Sequence, residues 1–119
     1  MNITFLGTGT STGVPLIGSD HPVCKSSNPK DNRLRSSILL EWDELNLIVD
    51  TGPDFRQQML SSNVNKLDAI FFTHEHADHT AGLDDIRPFY FNQGDIPIFA
   101  TNKVINCLLY TSDAADEGL

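Results

Sequence analysis

Residues 71–82 read FFTHEHADHTAG and contain three of the four histidines in the chain. His74, His76 and His79 lie within six positions, and Asp78 stands between the last two. This segment completes a short apolar run, LDAIFFT, which is typical of a strand buried on both faces. In α/β proteins ligands bind at the carboxyl ends of such strands. The stretch therefore predicts a functional site at the end of a central strand.

The chemistry of these side chains points to a divalent metal. Neutral imidazole and carboxylate groups are the ligands that suit zinc and related ions. Alternate residues of an extended loop point the same way, so His74 and His76 can share one ion while Asp78 and His79 turn toward a second. The segment is not the helical H-E-x-x-H motif of metalloproteases, because position 78 is Asp. The alternative is a solvated loop that happens to be rich in histidine, and the clustering at a strand end argues against it.

Composition limits the classes of function. The chain has 119 residues, with 8 basic and 16 acidic side chains, and a formal net charge of −8. This balance argues against an electrostatic nucleic-acid binder, which normally carries a basic face. No window approaches the roughly 18 apolar residues of a membrane span, and MNITFLGTGT lacks the features of a signal peptide. We expect a cytoplasmic protein whose two cysteines, Cys24 and Cys107, are reduced.

The remaining patterns indicate an α/β fold. Apolar runs predict four further strands, NITFLG (2–7), SSILLEW (36–42), LNLIVD (45–50) and IPIFA (96–100), and the second and third form a hairpin through Asp43 and Glu44. Residues 8–33 predict a long irregular loop. A helix is expected over residues 53–63, with Pro53 in its first turn and one apolar face. That face is predicted to contain Phe55, Met59 and Leu60. A short helix or turn is expected over 81–89, stopped by Pro88, and Thr101 is expected to cap a last helix.

The end of the chain differs in character from the rest. CLLYTSDAADE does not continue the apolar helix pattern well and resembles the translation of a transposon-type sequencing adapter. A genuine acidic tail is the alternative. We therefore expect a partial domain over residues 1–106 and a non-native tail over residues 107–119, with no internal repeat and no linker.

Several motifs together resemble one family. THEHADHTAG (73–82) is similar to the H-x-H-x-D-H motif of the metallo-β-lactamase fold hydrolases. FLGTGTSTGVP (5–15) resembles the first strand and loop of their cyclic phosphodiesterase and ribonuclease Z branches. VDTGPDFRQQML (49–60) and HADHTAGLDDIRPF (76–89) resemble the phosphoribosyl cyclic phosphate phosphodiesterase branch. The resemblance implies the N-terminal half of a four-layer αββα sandwich with a dinuclear metal site.

The resemblance also implies roles for individual residues. His74 and His76 would bind the first metal, and Asp78 and His79 the second, with these last two at the catalytic site as ligands. Asp50 would support the metal loop. The cofactors would be two divalent ions, Zn or alternatively Mn. The family adds two further histidines and a bridging aspartate downstream, so this chain is expected to carry about half of the site.

The resemblance also implies a second metal site, in the loop after the first predicted strand. The phosphodiesterase branch often has C-x-C-x-x-C where this chain has Ser19, His21 and Cys24, so His21 and Cys24 would be a remnant of a structural zinc site. A surface loop with one free thiol is the alternative. The spacing of Gly7, Gly9 and Gly13 fits neither nucleotide-binding glycine motif, and the resemblance implies a loop bordering the metal cleft.

Charged residues elsewhere leave two interpretations open. Arg33, Arg35 and Arg87 either contact a substrate phosphate, which a guanidinium fork suits, or are solvated. Asp84 and Asp85 are better explained as a surface pair at a helix start than as a general acid and base.

Two functional hypotheses follow. The first is a metal-dependent phosphodiesterase acting on a small cyclic phosphate, with ribonuclease Z-like or pyrroloquinoline quinone biosynthesis protein B-like activity as variants within the fold. The second is a non-catalytic metal-binding half-domain. Half a sandwich leaves one sheet face and several strand edges uncovered, which predicts a homodimer or other self-association. A nucleic-acid or membrane partner is not expected.

Overall fold

The computed structural model describes the backbone of residues 1–117 and the side chains of residues 1–110. Its centre is a mixed sheet of five strands whose spatial order follows the chain. The strands are β1 (Asn2–Gly7), β2 (Ser37–Trp42), β3 (Leu45–Val49), β4 (Ala69–Phe71) and β5 (Ile98–Phe99). The β1–β2 and β2–β3 pairs are antiparallel, whereas β3–β4 and β4–β5 are parallel. The predicted strands and the α/β class are confirmed.

Four α-helices accompany the sheet. They are α1 (Phe55–Ser62), α2 (Ala77–Thr80), α3 (Arg87–Gln93) and α4 (Asn102–Glu117). Short 3₁₀ turns lie at Pro22–Lys25, Pro29–Asp31 and Leu83–Ile86. Within the described residues, no helix is long and apolar enough to cross a membrane.

The two faces of the sheet have different surroundings. Leu39, Ile48 and Ile70 point to one face and form a buried core with Phe55 of α1 and Phe89 of α3. Directly paired residues of neighbouring strands share a face, so the register defines an apolar row across the opposite face of the whole sheet. That row consists of Phe5, Ile38, Val49, Phe71 and Phe99. We call this side of the sheet the open face.

The predicted hairpin is confirmed. Asp43 and Glu44 connect β2 and β3, and both have positive φ, of 49° and 66°. Two central residues with positive φ are the signature of the turn that matches the twist of paired strands. The turn sets the register that places Ile38 opposite Val49.

Helix α1 begins later than predicted. Pro53 precedes the helix, whose N-cap residue is Asp54, so the prediction that Pro53 occupies the first turn is wrong. Phe55 and Met59 are buried as expected, but Leu60 is exposed and Gln58 is buried in its place. The Nε2 of Gln58 donates to the Arg35 carbonyl at 2.9 Å, a tertiary contact.

Pro88 begins a helix instead of stopping one. The Leu83–Ile86 turn leads directly into α3, and Pro88 lies in the first turn of α3, where no backbone N–H is required. Thr101 precedes α4, and its Oγ1 lies 3.5 Å from the Val104 nitrogen, as expected of a cap. The backbone of α4 continues to Glu117. The assignment of residues 107–119 to a non-native tail stays a prediction, and residues 118–119 lie outside the described part.

The long loop after β1 is irregular, as predicted, and two arginines attach it to the domain. The Arg33 Nη1 donates to Thr8 Oγ1 at 2.9 Å. Arg35 Nη1 lies 3.1 Å from the Asp54 carboxylate at the start of α1. Arg33 thus joins the two ends of the loop, and Arg35 joins the loop to the start of α1. A contact of either guanidinium with a substrate phosphate stays a prediction.

Candidate metal centre

The metal loop, residues 73–79, begins two residues after β4 and ends inside α2. Because β3 and β4 are parallel, their carboxyl ends meet at one edge of the sheet, and Asp50 follows β3 there. The Asp50 nitrogen donates to the Phe71 carbonyl at 2.8 Å, which extends the pairing beyond the strands. The sheet topology thus brings Asp50 beside residues more than twenty positions later.

Three predicted ligands form one group. The ligand atoms of His74, His76 and Asp78 all lie within 4.8 Å of one another. The His74 ring centroid is 4.6 Å from that of His76 and 4.0 Å from that of His79. His79 also touches the group through Asp78, whose Oδ2 lies 3.0 Å from His79 Nε2. All four predicted ligand residues are therefore adjacent.

Asp50 is buried, and the hydrogen bonds that the structure describes for its carboxylate are made with the metal loop. Its Oδ1 accepts from the Thr73 backbone N–H at 2.8 Å, and its Oδ2 accepts from the Thr73 hydroxyl at 2.7 Å. The same Oδ2 lies 2.7 Å from His79 Nδ1. The side chain is 5% exposed, so this carboxylate is engaged in orienting the loop.

The backbone after β3 packs tightly on α2. The Thr51 nitrogen donates to the His79 carbonyl at 2.9 Å, and the Gly82 nitrogen donates to the Thr51 carbonyl at 2.8 Å. A β-carbon on Gly52 would lie 2.4 Å from the Asp78 carbonyl oxygen. One on Gly82 would lie 2.0 Å from the Gly52 carbonyl oxygen. Glycine is required at both positions for the two segments to approach this closely.

The donor set fits a divalent cation. His79 Nδ1 faces a carboxylate, so the proton of the neutral ring belongs on Nδ1 and Nε2 carries a lone pair. That lone pair faces Asp78 Oδ2, a second acceptor, at 3.0 Å. Two acceptors at this distance repel unless a proton or a metal ion lies between them. Zinc–ligand bonds of about 2.0–2.2 Å would suit such a pair of atoms on one ion.

The division of ligands between two ions stays a prediction. His74 and His76 were expected to share one ion and Asp78 and His79 a second, and the described side chains place Asp78 close to both pairs. Asp78 is therefore positioned to contact either ion.

The implied structural zinc site also stays a prediction. His21 Nδ1 accepts from the Val23 N–H at 3.2 Å, and the Leu16 N–H points to Cys24 Sγ at 3.4 Å. Among the residues whose placement the structure describes, no third His, Cys, Asp or Glu joins these two to form a group.

Other charged residues have structural roles. Arg87 Nη2 lies 3.2 Å from Asp84 Oδ2, and both side chains are largely exposed. Asp84 and Asp85 lie in the first turn of the Leu83–Ile86 segment, as expected of a pair at a helix start. Glu75, inside the metal loop, pairs with Lys103 of α4 at 3.0 Å. The hydrogen bond from Lys103 holds the pKa of the Glu75 carboxyl below its ordinary value.

Sequence reasoning missed two participants, Thr73 and the Glu75–Lys103 pair. Thr73 was visible only as the residue before His74, and its contact with Asp50 depends on the parallel pairing of β3 and β4. Glu75 and Lys103 are far apart in the chain, so local patterns could not connect them.

This chain is similar in sequence to several known proteins. The family model described as the beta-lactamase superfamily domain matches residues 45–115. An octanoyltransferase of Porphyromonas gingivalis is 40% identical over 109 residues, which are 91% of this chain and 22% of that protein. A ribonuclease Z of Methanococcus maripaludis is 33% identical over 96 residues, covering 79% of this chain and 26% of the relative.

Solved structures agree with these sequence matches. A diphosphatase from the PhnP family superimposes with a TM-score of 0.90 and 44% identity, over 95% of this chain and 46% of that one. The Zn²⁺-bound PqqB of Methylobacterium extorquens shares the fold, with a TM-score of 0.63 and 22% identity over 85% of this chain and 46% of that one. The chain thus spans less than half the length of the relatives it matches. By its family match and its fold, the chain belongs to the beta-lactamase superfamily domain family, with the metallo-β-lactamase fold of a family of metallo-hydrolases.

Proposed function

We propose that the whole protein is a metal-dependent phosphodiesterase acting on a small cyclic phosphate. The observation that carries this proposal is the group formed by His74, His76 and Asp78, with His79 held against Asp78. Nitrogen and carboxylate ligands at the carboxyl edge of a sheet form the kind of centre that hydrolyses phosphate esters. We place the protein in the cytoplasm.

The relatives support chemistry at phosphorus. A diphosphatase and a ribonuclease both cleave bonds to phosphorus, and both match this chain across its metal loop. The octanoyltransferase offers no second candidate, because this chain corresponds to only 22% of it and the grouped side chains are of types that suit a metal ion. A cyclic phosphate of a small sugar is preferred to RNA, since a net charge of −8 disfavours a long polyanion.

The four ligand residues and Asp50 have different roles in the proposed reaction. His74, His76, Asp78 and His79 would hold two divalent ions, Zn²⁺ or Mn²⁺. When bound, the ions supply a nucleophilic water at neutral pH and neutralise charge on the phosphate. Asp78 serves as a ligand and is not a free base. Asp50 keeps His79 oriented through the 2.7 Å contact with Nδ1. A water oxygen adds to phosphorus, one P–O ester bond breaks, and the departing sugar oxygen takes up a proton.

Further ligands are needed for a complete dinuclear centre. The chain spans 46% of the PhnP-family diphosphatase. We therefore assign the remaining ligands to residues of the whole protein outside these 119.

A second candidate is a non-catalytic metal-binding unit. The described residues form one ligand group of three, with a fourth ligand beside it, which suffices to bind an ion without completing two sites. Ribonuclease Z-like and PqqB-like roles are variants of the first candidate.

Metal analysis and a substrate panel test these candidates. The whole protein would be loaded with Zn²⁺ or Mn²⁺, its metal content measured, and turnover assayed on phosphoribosyl cyclic phosphate, 2′,3′-cyclic nucleotides, a nucleoside diphosphate and pre-tRNA. We expect hydrolysis of the cyclic phosphates and its loss in Asp78→Asn. Asp84→Asn is the matched control, because it makes the same change at an exposed carboxylate outside the loop.

The outcomes separate the candidates. Metal binding without turnover of any phosphodiester would favour the non-catalytic unit. Turnover of pre-tRNA alone would favour the ribonuclease Z-like role. Equal turnover by wild type and Asp78→Asn would show that the metal loop takes no part in the reaction.

A further inference from the structure

Thr73 lies between a buried carboxylate and a predicted metal ligand. Its Oγ1 is 2.7 Å from Asp50 Oδ2 and 2.8 Å from His74 Nδ1. Its backbone N–H donates to the other Asp50 oxygen at 2.8 Å, which fixes the residue on both sides. The side chain thus connects Asp50 to His74 through one oxygen atom.

The number of available protons determines the direction of these bonds. A carboxylate only accepts, so the single Thr73 hydroxyl proton points to Asp50. The hydroxyl oxygen can then only accept from His74, which requires the ring proton to be on Nδ1. The Nε2 atom of His74 is left with its lone pair, the form that binds a metal.

His79 is controlled by the same carboxylate without an intermediary. Its Nδ1 faces Asp50 Oδ2 at 2.7 Å, so its proton is also on Nδ1. One buried carboxylate therefore sets the tautomer of two histidines, directly for His79 and through a hydroxyl for His74. His76 has no hydrogen bond to Asp50 or Thr73 among those that the structure describes.

We propose that Thr73 is a positioning residue that holds His74 in its Nδ1–H tautomer and so prepares Nε2 for a divalent cation. This inference rests on the proposed metal site. A hydrogen-bonded partner behind a ligating histidine fixes both the tautomer and the ring orientation, and loss of such a partner lowers metal affinity about 10- to 100-fold. The effect of Thr73 on the His74 tautomer depends on its hydroxyl group and does not depend on the volume of its side chain.

Two substitutions separate hydroxyl from volume. Thr73→Val keeps the branched shape and removes the hydroxyl, whereas Thr73→Ser keeps the hydroxyl and removes a methyl group. In the metal-free protein, long-range ¹H–¹⁵N correlation spectra of the imidazole rings report the tautomer of each histidine. In a second measurement, competition with a chromophoric chelator reports the affinity for Zn²⁺.

We expect His74 to be the Nδ1–H tautomer in wild type and in Thr73→Ser, and a tautomer mixture in Thr73→Val. Zn²⁺ affinity should fall about 10-fold in Thr73→Val and stay near wild type in Thr73→Ser. Predominant Nε2–H at His74 in the wild type would overturn the inference, even if Thr73→Val fails to fold. Equal Zn²⁺ affinity in wild type and Thr73→Val would also overturn it.

The spectra distinguish failure of this inference from failure of the proposed function. If the wild type shows Nδ1–H at His74 and binds Zn²⁺ but hydrolyses no phosphodiester, the inference stands and the proposed activity falls. If His74 carries its proton on Nε2 while the protein hydrolyses a phosphodiester, the inference about Thr73 is wrong and the proposed activity is supported.

Discussion

At the scale of single residues, Asp50 combines an unusual backbone with a fully engaged side chain. Its φ is +66°, a region that Asp and Asn tolerate better than most residues because their short side chains hydrogen-bond locally. The same conformation turns the carboxylate from the end of β3 toward Thr73 and His79. Backbone strain and ligand orientation therefore occur at one position, as is common at functional sites.

Asp50→Asn tests the orienting role without changing the shape of the side chain. An amide has one acceptor oxygen, so its NH₂ must take the place of one carboxylate oxygen and face either the Thr73 backbone N–H or the Thr73 hydroxyl and His79 Nδ1. If the amide NH₂ faces His79 Nδ1, it favours the wrong tautomer for binding a metal through Nε2. We expect Zn²⁺ affinity to fall about 10- to 100-fold, measured by chelator competition. Asp84→Asn is the control, and wild-type affinity in Asp50→Asn would contradict the role.

Gly82 offers a steric test at the same site. Its φ is −88°, so an alanine is not conformationally strained, but the added β-carbon would lie 2.0 Å from the Gly52 carbonyl oxygen. The backbone at Gly52 or at Gly82 would have to move, and we expect Gly82→Ala to lose about 2–3 kcal/mol of unfolding free energy in urea titrations.

Gly18→Ala is the matched control for this substitution. Gly18 has a φ of +75° and open space around it, so alanine there suffers only conformational strain of about 1–2 kcal/mol. If Gly82→Ala has an unfolding free energy as high as that of Gly18→Ala, the close approach of Gly82 to the Gly52 carbonyl does not contribute to stability.

At the scale of elements, local patterns predicted strands well and helix boundaries less well. The β2–β3 hairpin was predicted because two apolar runs flank two polar residues, a signal contained within a few positions. Pro88 was wrongly expected to end a helix, since proline both stops helices and begins them, and only the preceding turn decides between the two. The buried Gln58 requires the Arg35 carbonyl as a partner, which no local pattern shows.

The candidate site shows the same difference between local signals, which the sequence displays, and tertiary contacts, which it does not. The four ligand residues were predicted because they are adjacent in sequence and chemically suited to metals. Thr73 was not assigned a role, because its function arises from the parallel pairing that brings the end of β3 beside it. Local patterns thus predict the ligands of one segment, whereas the support from Asp50 was expected only through the family resemblance and the contact of Thr73 was not expected at all.

The junction between β3 and β4 carries a pH-dependent contact. Burial raises the pKa of Asp68, but the hydrogen bond from the Asn46 N–H at 2.7 Å and the nearby Lys66 ammonium lower it more. The net pKa is below the ordinary value, so ionised Asp68 stabilises the fold at neutral pH. That contribution decreases as the pH falls below the unfolded-state pKa of about 4 and is lost below the lowered folded-state pKa.

Asp68→Asn should remove this contribution. We expect the variant to be about 1 kcal/mol less stable than wild type at pH 7, because a hydrogen bond to a carboxylate contributes more than one to a neutral amide oxygen. In urea denaturation, the difference in unfolding free energy between wild type and Asp68→Asn should decrease as the pH is lowered through the acidic range. Asp20→Asn, at a side chain that is 97% exposed, is the control. A difference that does not change with pH would show that the charge of Asp68 is not the stabilising feature.

At the scale of the whole molecule, the open face of the sheet is the dominant feature. Ile3 and Phe5 of β1 are 53% and 72% exposed, and Phe99 of β5 is 52% exposed with its ring 5.1 Å from that of Phe71. Contiguous apolar surface of this kind marks an association site. We expect these 119 residues, when expressed alone, to self-associate through the open face.

Phe5→Lys tests this expectation at an exposed position. Phe5 contributes almost no burial to the core, so the substitution should leave the fold intact while placing a charge at the β1 end of the apolar row. We expect sedimentation equilibrium to show a shift toward monomer, with the dissociation constant of the self-associated form raised at least about 10-fold, equivalent to about 1.4 kcal/mol. Leu60→Lys is the control, because Leu60 is 61% exposed on α1, on the opposite side of the sheet. If both lysine variants shift the equilibrium equally, added charge and not the open face controls association, and if neither does, the chain associates through another surface.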